Sequence, residues 1–130
     1  MKSRWTWNAP LVPDGHYLAL ATDISPRSRR STGRLFRGAR ITRRQLATTE
    51  GLVGYSLLAR PVLKQYATVS LWEDEDALAA FVGTDPHRDL MRELAPEMGP
   101  TTFVRWAITG NDGRPRWSEV LRRLRDADGS

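Results

Sequence analysis

The chain has 130 residues, which suits one domain that can bury a core without staples. Hydrophobic residues make up 40% and charged residues 27%, the balance of a globular, soluble chain rather than a disordered one. There is no cysteine, so disulfides, thiolate metal sites and a thiol nucleophile are excluded, in keeping with a reducing cytoplasm. The formal net charge is +5, and nearly all the positive charge is arginine, since Lys2 and Lys64 are the only lysines.

Residues 1–15 hold Trp5, Trp7 and two prolines without a clear period, and read as an extended arm lying on a single domain of residues 16–130. No continuous apolar run follows, so neither a signal peptide nor a membrane span is expected. His16 to Ser25 is short and dense in apolar residues, as a buried strand is, and Pro26 stops it. Arg27 to Arg30 makes a basic loop. Ser31 or Thr32 can cap the helix that follows, on which Leu35, Ala39, Thr42 and Leu46 recur at helical spacing. Gly38 weakens that helix or admits a close approach to the sheet, and Gly51 stops it.

Val53 to Arg60 reads as a second strand, Pro61 to Gln65 as a connection, and Tyr66 to Trp72 as a third strand. Alternation places Tyr66, Thr68, Ser70 and Trp72 on one face of the third strand and Ala67, Val69 and Leu71 on the other. A short connection between two strands implies an antiparallel pair. Glu73 to Asp76 is an acidic cluster at a helix start, where the dipole favours negative charge. Ala77, Leu78, Phe81 and Val82 form that helix's apolar stripe, and Gly83 ends it. Asp85-Pro86 then reads as an N-cap with proline at the first helical position. The next helix carries His87, Leu90, Met91 and Leu94 on one face until Pro96 breaks it. Thr101 to Thr109 is the last strand, Gly110 to Pro115 a polar turn, and Trp117 to Arg125 a short C-terminal helix with Ser118 or Asp112 near its start.

The predicted order is β-α-β-β-α-β, an α+β ferredoxin-like arrangement with helices on one face of a four-stranded antiparallel sheet. The other face also alternates bulky residues and needs a cover. A second copy of the chain, related by a two-fold axis, is the simplest one, so a homodimer is expected.

The stretches V53-G-Y-S-L-L, S70-L-W-E-D-E-D-A-L-A-A-F and P86-H-R-D-L-M resemble the dimeric α/β-barrel superfamily that includes the antibiotic-biosynthesis monooxygenases. The resemblance is nearest to a poorly characterised branch that ends in a strand like F103-V-R-W106 and a P-x-W tail like Pro115 to Trp117, and it covers roughly residues 16 to 120. It implies a small pocket between sheet and helices in each subunit. It also implies chemistry on hydrophobic, aromatic or polyketide-derived molecules, either oxidation by O₂ without metal or flavin, or cyclisation and isomerisation. Haem-cleaving relatives carry an Asn on the first strand, then a Trp and a His on the helices after the third strand. Here Phe81 and Met91 fall where that Trp and His would be, His87 lies one turn earlier, and the first-strand Asn is absent. No cofactor is therefore expected, and haem is disfavoured.

Within this frame His87 is the candidate general base, because a helix N-terminus favours the neutral imidazole. Its structural alternative is a buried histidine bonded to backbone. Trp72 either walls a substrate pocket or plugs the strand–helix junction. Ser70 and Tyr55 offer hydroxyls to a ligand or pack at a dimer seam. Trp106 is a further candidate lining residue, with dimer contact as its alternative. Arg105 is expected to be buried, facing an anionic ligand or pairing with Asp23 or a helix acid. No histidine cluster supports a metal site. Eight arginines lie between Arg27 and Arg44, and they read as the solvated outer face of an amphipathic helix, so a nucleic-acid partner is not expected. The resemblance therefore implies a small enzyme of secondary metabolism. A non-catalytic haem- or ligand-binding protein and a basic interaction module stand as alternatives.

Overall fold

The computed structural model describes residues 4–60, 65–84 and 87–128. In chain order these form β1 (Thr6–Trp7), β2 (His16–Pro26), α1 (Arg29–Leu46), β3 (Leu52–Arg60), β4 (Gln65–Trp72), α2 (Glu75–Val82), α3 (His87–Leu94), β5 (Met98–Thr109) and α4 (Trp117–Asp128). The strands make one antiparallel sheet in the order β1-β3-β4-β2-β5. Omitting β1 and α4, this is the predicted ferredoxin-like arrangement. The sheet has five strands rather than four, because Thr6 and Trp7 of the arm pair with Tyr55 and Gly54. The arm had no strand-like period because only two of its residues join the ladder.

The period of two along each strand divides the sheet into two faces. Leu18, Leu20, Tyr55 and Trp72 meet Leu46 of α1 and Leu78 and Phe81 of α2 on one face. Ala21, Leu58, Ala67 and Val69 meet Trp117, Val120 and Leu124 of α4 on the other. The face that the sequence assigned to a second copy is thus covered by the chain's own C-terminal helix. Trp117 is 8% exposed, and its indole N–H donates to Ser56 Oγ at 3.1 Å, which satisfies the one polar atom that burial would otherwise strand. Beside it, the Arg123 guanidinium lies 4.5 Å from the Trp106 ring centre.

Several element ends differ from the sequence expectation. α1 starts at Arg29 because Ser28, not Ser31 or Thr32, accepts a hydrogen bond from the Ser31 N–H. β2 continues through Pro26, with a register shift after Ile24. β5 begins at Met98, three residues before the expected start. α1 ends at Leu46, so Gly51 does not stop it; its φ of +81° instead serves the turn into β3. Gly38 faces α3 rather than the sheet, since an added Cβ would lie 2.8 Å from Leu94 Cδ1. Asp112 accepts from the Thr109 N–H at 2.8 Å and closes a short turn, so it does not cap α4. Asp74 caps α2 as the acidic cluster implied, accepting from the Ala77 N–H at 2.8 Å. The Asp85-Pro86 cap and the connection over residues 61–64 lie outside the described residues.

Asp23 sits on the α4 side, where Gln65 Nε2 donates to its Oδ2 at 3.4 Å and its Oδ1 is buried without a partner among the described residues. Burial raises its pKa above the usual 3.8, only partly offset by Gln65, and Asp128 adds to the rise. A raised folded-state pKa favours the fold below the unfolded value, and that contribution is lost as pH climbs through the folded value. Asp23→Asn is therefore expected to raise the melting temperature at neutral pH, with the gain shrinking as pH falls toward 3.8. Equal gains at every pH in a thermal-melt series would contradict this account.

Candidate functional site

The sheet register brings several predicted residues together. Tyr55, Ser70, Leu20 and Arg105 form one rung across β3, β4, β2 and β5 on the α1–α2 side, and Leu52, Trp72, Leu18 and Ala107 form the next. At roughly 4.8 Å per strand step, Tyr55 and Arg105 stand about 14 Å apart at the two ends of their rung.

Trp72 is 1% exposed and donates its indole N–H to Ser70 Oγ at 2.8 Å. Its ring lies 5.4 Å from Phe81, and Phe81 lies 4.6 Å from His87. The result is a continuous file of side chains, Ser70–Trp72–Phe81–His87, from sheet to α3. Tyr55 is buried in the same cluster. At this depth Trp72 plugs the strand–helix junction, and Ser70 and His87 at the two ends of the file are half-buried.

His87 is held from its main chain. Its N–H donates to Gln45 Oε1 at 3.0 Å, and Gln45 Nε2 donates to Thr84 O at 3.4 Å, so α1 clamps the start of α3. Burial pushes the imidazole pKa below 6.5, and a hydrogen bond at the Val82 backbone only partly restores it. His87 Nδ1 is buried and has no hydrogen-bond partner among the described residues. A neutral imidazole with an unused nitrogen can accept a proton or bind a ligand hydroxyl.

Arg105 departs from the expected burial. Its guanidinium is 53% exposed and pairs with Glu75 at 2.7 Å. The helix-acid alternative is the one the structure contains, while Asp23 lies on the opposite face. An exposed pair of this kind contributes little to stability. β5 is an edge strand, so one flank of Arg105 is open; its neighbour Phe103 is 62% exposed. Trp106 points to the α4 side, away from the other candidates.

Sequence reasoning missed Phe81 as the link between Trp72 and His87, and it missed Gln45. The apolar stripe of α2 could have revealed Phe81. Gln45 is 42 residues from His87 and carries no local signal. Among the described residues no group of three or more His, Asp or Glu side chains could hold a metal ion, and no helix is long and apolar enough to cross a membrane.

The architecture recurs in solved structures. A protein from Caulobacter crescentus, provisionally assigned as an antibiotic biosynthesis monooxygenase, superposes with a TM-score of 0.63 at 16% identity, over 72% of this chain and 90% of that one. A dimeric ferredoxin-like protein of unknown function from Thermobifida fusca gives 0.64 at 17% identity, over 78% and 99%. A provisionally assigned monooxygenase from Fusobacterium nucleatum gives 0.66 at 11% identity; the match covers 78% of this chain but 46% of that longer one. At these identities the likeness is one of fold. No curated protein matches the chain in sequence. A family described as "Domain of unknown function (DUF3291)" matches residues 16–129, and the chain belongs to that family.

Proposed function

We propose that this protein is a small enzyme that takes a hydrophobic, aromatic or polyketide-derived molecule on the α1–α2 side of the sheet and uses His87 as general base. Two chemistries share that first step. A cofactor-independent monooxygenase would deprotonate a phenol or activated methylene, and O₂ would oxidise the resulting phenolate or carbanion, one oxygen atom entering the product and the other leaving as water. A cyclase or isomerase would use the same carbanion without oxidant. The observation that carries the reading is the Nδ1 of His87, which has no hydrogen-bond partner among the described residues, on an imidazole whose pKa burial lowers. Ser70 and Tyr55 would lie behind the ligand, and Arg105 at the open edge would meet the developing oxyanion by exchanging Glu75 for it.

The test is aerobic incubation with anthrones, naphthols and linear polyketide mimics, followed by oxygen uptake and product mass. Conversion of one class, lost in His87→Ala, supports the reading. Conversion that survives the substitution removes His87 from the chemistry. A Soret shift on haemin titration, with no conversion, would move the assignment to a haem-binding protein.

A two-fold homodimer belongs to the same proposal. β5 is a 12-residue edge strand whose only charge is Arg105, and an edge of that length invites pairing. The fold neighbour from Thermobifida fusca is described as dimeric. Light scattering is expected to give twice the 14.7 kDa chain mass; a single-chain mass at micromolar concentration would exclude the pairing.

A further inference from the structure

Against the expectation that its arginines form only a solvated face, we propose that the outer face of α1 is a docking track for single-stranded nucleic acid. α1 holds seven arginines and no acidic residue in its 18 residues. The whole chain has a formal charge of +5, so the remainder of the molecule sums to −2. The basicity is one helix, not a property spread over the surface. Arg34, Arg37, Arg40, Arg43 and Arg44 are all exposed. Arg37, Arg40, Arg43 and Arg44 form no ion pair among the described residues.

α4 provides an internal control. Its arginines are interleaved with acids at helical spacing, and Arg122–Asp126 and Arg123–Glu119 pair at 3.8 and 3.2 Å. A chain merely rich in arginine would show the same compensation on α1. The absence of acids there leaves about 27 Å of helix with like charges every turn, which is destabilising unless a polyanion neutralises it.

Geometry selects the polyanion. Arg37, Arg40 and Arg44 lie in one row with neighbours about 5–6 Å apart, a step comparable with that between successive phosphates of an extended strand. Guanidinium groups bind phosphate oxygens two at a time, which lysines do not. Phe36 flanks this row; its ring meets Tyr66 in a T-shaped contact with centroids 5.3 Å apart, yet it stays 44% exposed, and the exposed part is where a base can stack. A lipid surface fits less well. A flat anionic sheet would meet α1 and its neighbour α3 together, and α3 presents exposed Asp89 and Glu93. The apolar side of α1 is also turned inward, with Leu46 buried and Gly38 against Leu94, which leaves Phe36 as the one exposed large apolar side chain of the helix, too little to anchor it in a bilayer.

The experiment is fluorescence anisotropy of a labelled oligothymidylate with the full chain, from low to physiological salt. Binding at low salt is expected, with log K falling against log salt at a slope of about −3, as for four phosphate contacts on a single strand. The variant R37E/R40E/R44E should lose binding at least tenfold, while R122E/R125E on α4 should keep it. Phe36→Ala should weaken binding about five- to hundredfold if a base stacks there. Circular dichroism confirms that each variant is folded, and R37Q/R40Q/R44Q serves if the reversed triplet is not. No salt-dependent binding, binding unchanged by the α1 substitutions, or equal affinity for duplex DNA or for phosphatidylglycerol vesicles would each overturn the proposal.

Discussion

Trp117→Ala is expected to cost about 3–5 kcal/mol in urea denaturation, the range for truncating a buried aromatic side chain. Trp117 anchors α4 against Leu58, Val69 and Ala21 and donates its indole N–H to Ser56 Oγ. A domain of this size has about 5–15 kcal/mol in total, so the variant will be marginal at physiological temperature. Trp117→Phe separates packing from polarity. It keeps most of the ring volume and loses the hydrogen bond, for which about 1 kcal/mol is expected. A loss under 1 kcal/mol for the alanine variant would mean that α4 is not held on the sheet in solution, and the face would again be available to a partner.

That result bears on what the sequence could reveal. The strand and helix order was legible because each element has its own period: two in Tyr66–Trp72, and three to four in Ala77–Val82. The capping of α2 by Asp74 was legible because it is local. The place of α4 was not. Trp117, Val120 and Leu124 announce an apolar stripe, but a stripe does not name the surface it covers, and a second copy would have served as well. The arm failed for the opposite reason: a two-residue strand is too short to show a period. The exposure of Arg105 is not legible because alternation along β5 implies cover on both faces, whereas its place at the sheet edge leaves the side chain in water.

The candidate site divides along the same line. Ser70 and Trp72 share a face by alternation alone, and Tyr55 joins them once the β3–β4 register is known. Trp106 was separable from Arg105 by parity, since neighbours on a strand point to opposite faces. The ring contacts from Trp72 through Phe81 to His87 depend on how α2 and α3 cross the sheet, which no local pattern encodes. The Gln45 clamp joins the C-terminal turn of α1 to the first residue of α3 and is invisible to any window of sequence.

On the proposed function, His87→Ala is expected to lower turnover of a converted substrate by about 10²–10⁴-fold, the range for losing a positioned general base. His87→Gln should fall as far, because an amide can hydrogen-bond a ligand but cannot take its proton. Binding of the same substrate, read by quenching of tryptophan fluorescence, should change much less. The pH profile distinguishes a base from a spacer. The histidine pKa lies below 6.5, so wild-type activity should hold through pH 6.5 and fall only on the acid side of it. Stability carries the same sign. A depressed folded-state pKa contributes stability that is present above the unfolded value and is lost as pH falls through the folded one. Part of the acid sensitivity of the melting temperature should therefore disappear in His87→Ala. A variant that loses this acid sensitivity yet keeps full turnover would leave His87 as a buried, neutral packing residue with no part in the reaction. One that loses turnover while the pH profile of stability is unchanged would place the chemistry at His87 but remove burial as the cause of its neutrality.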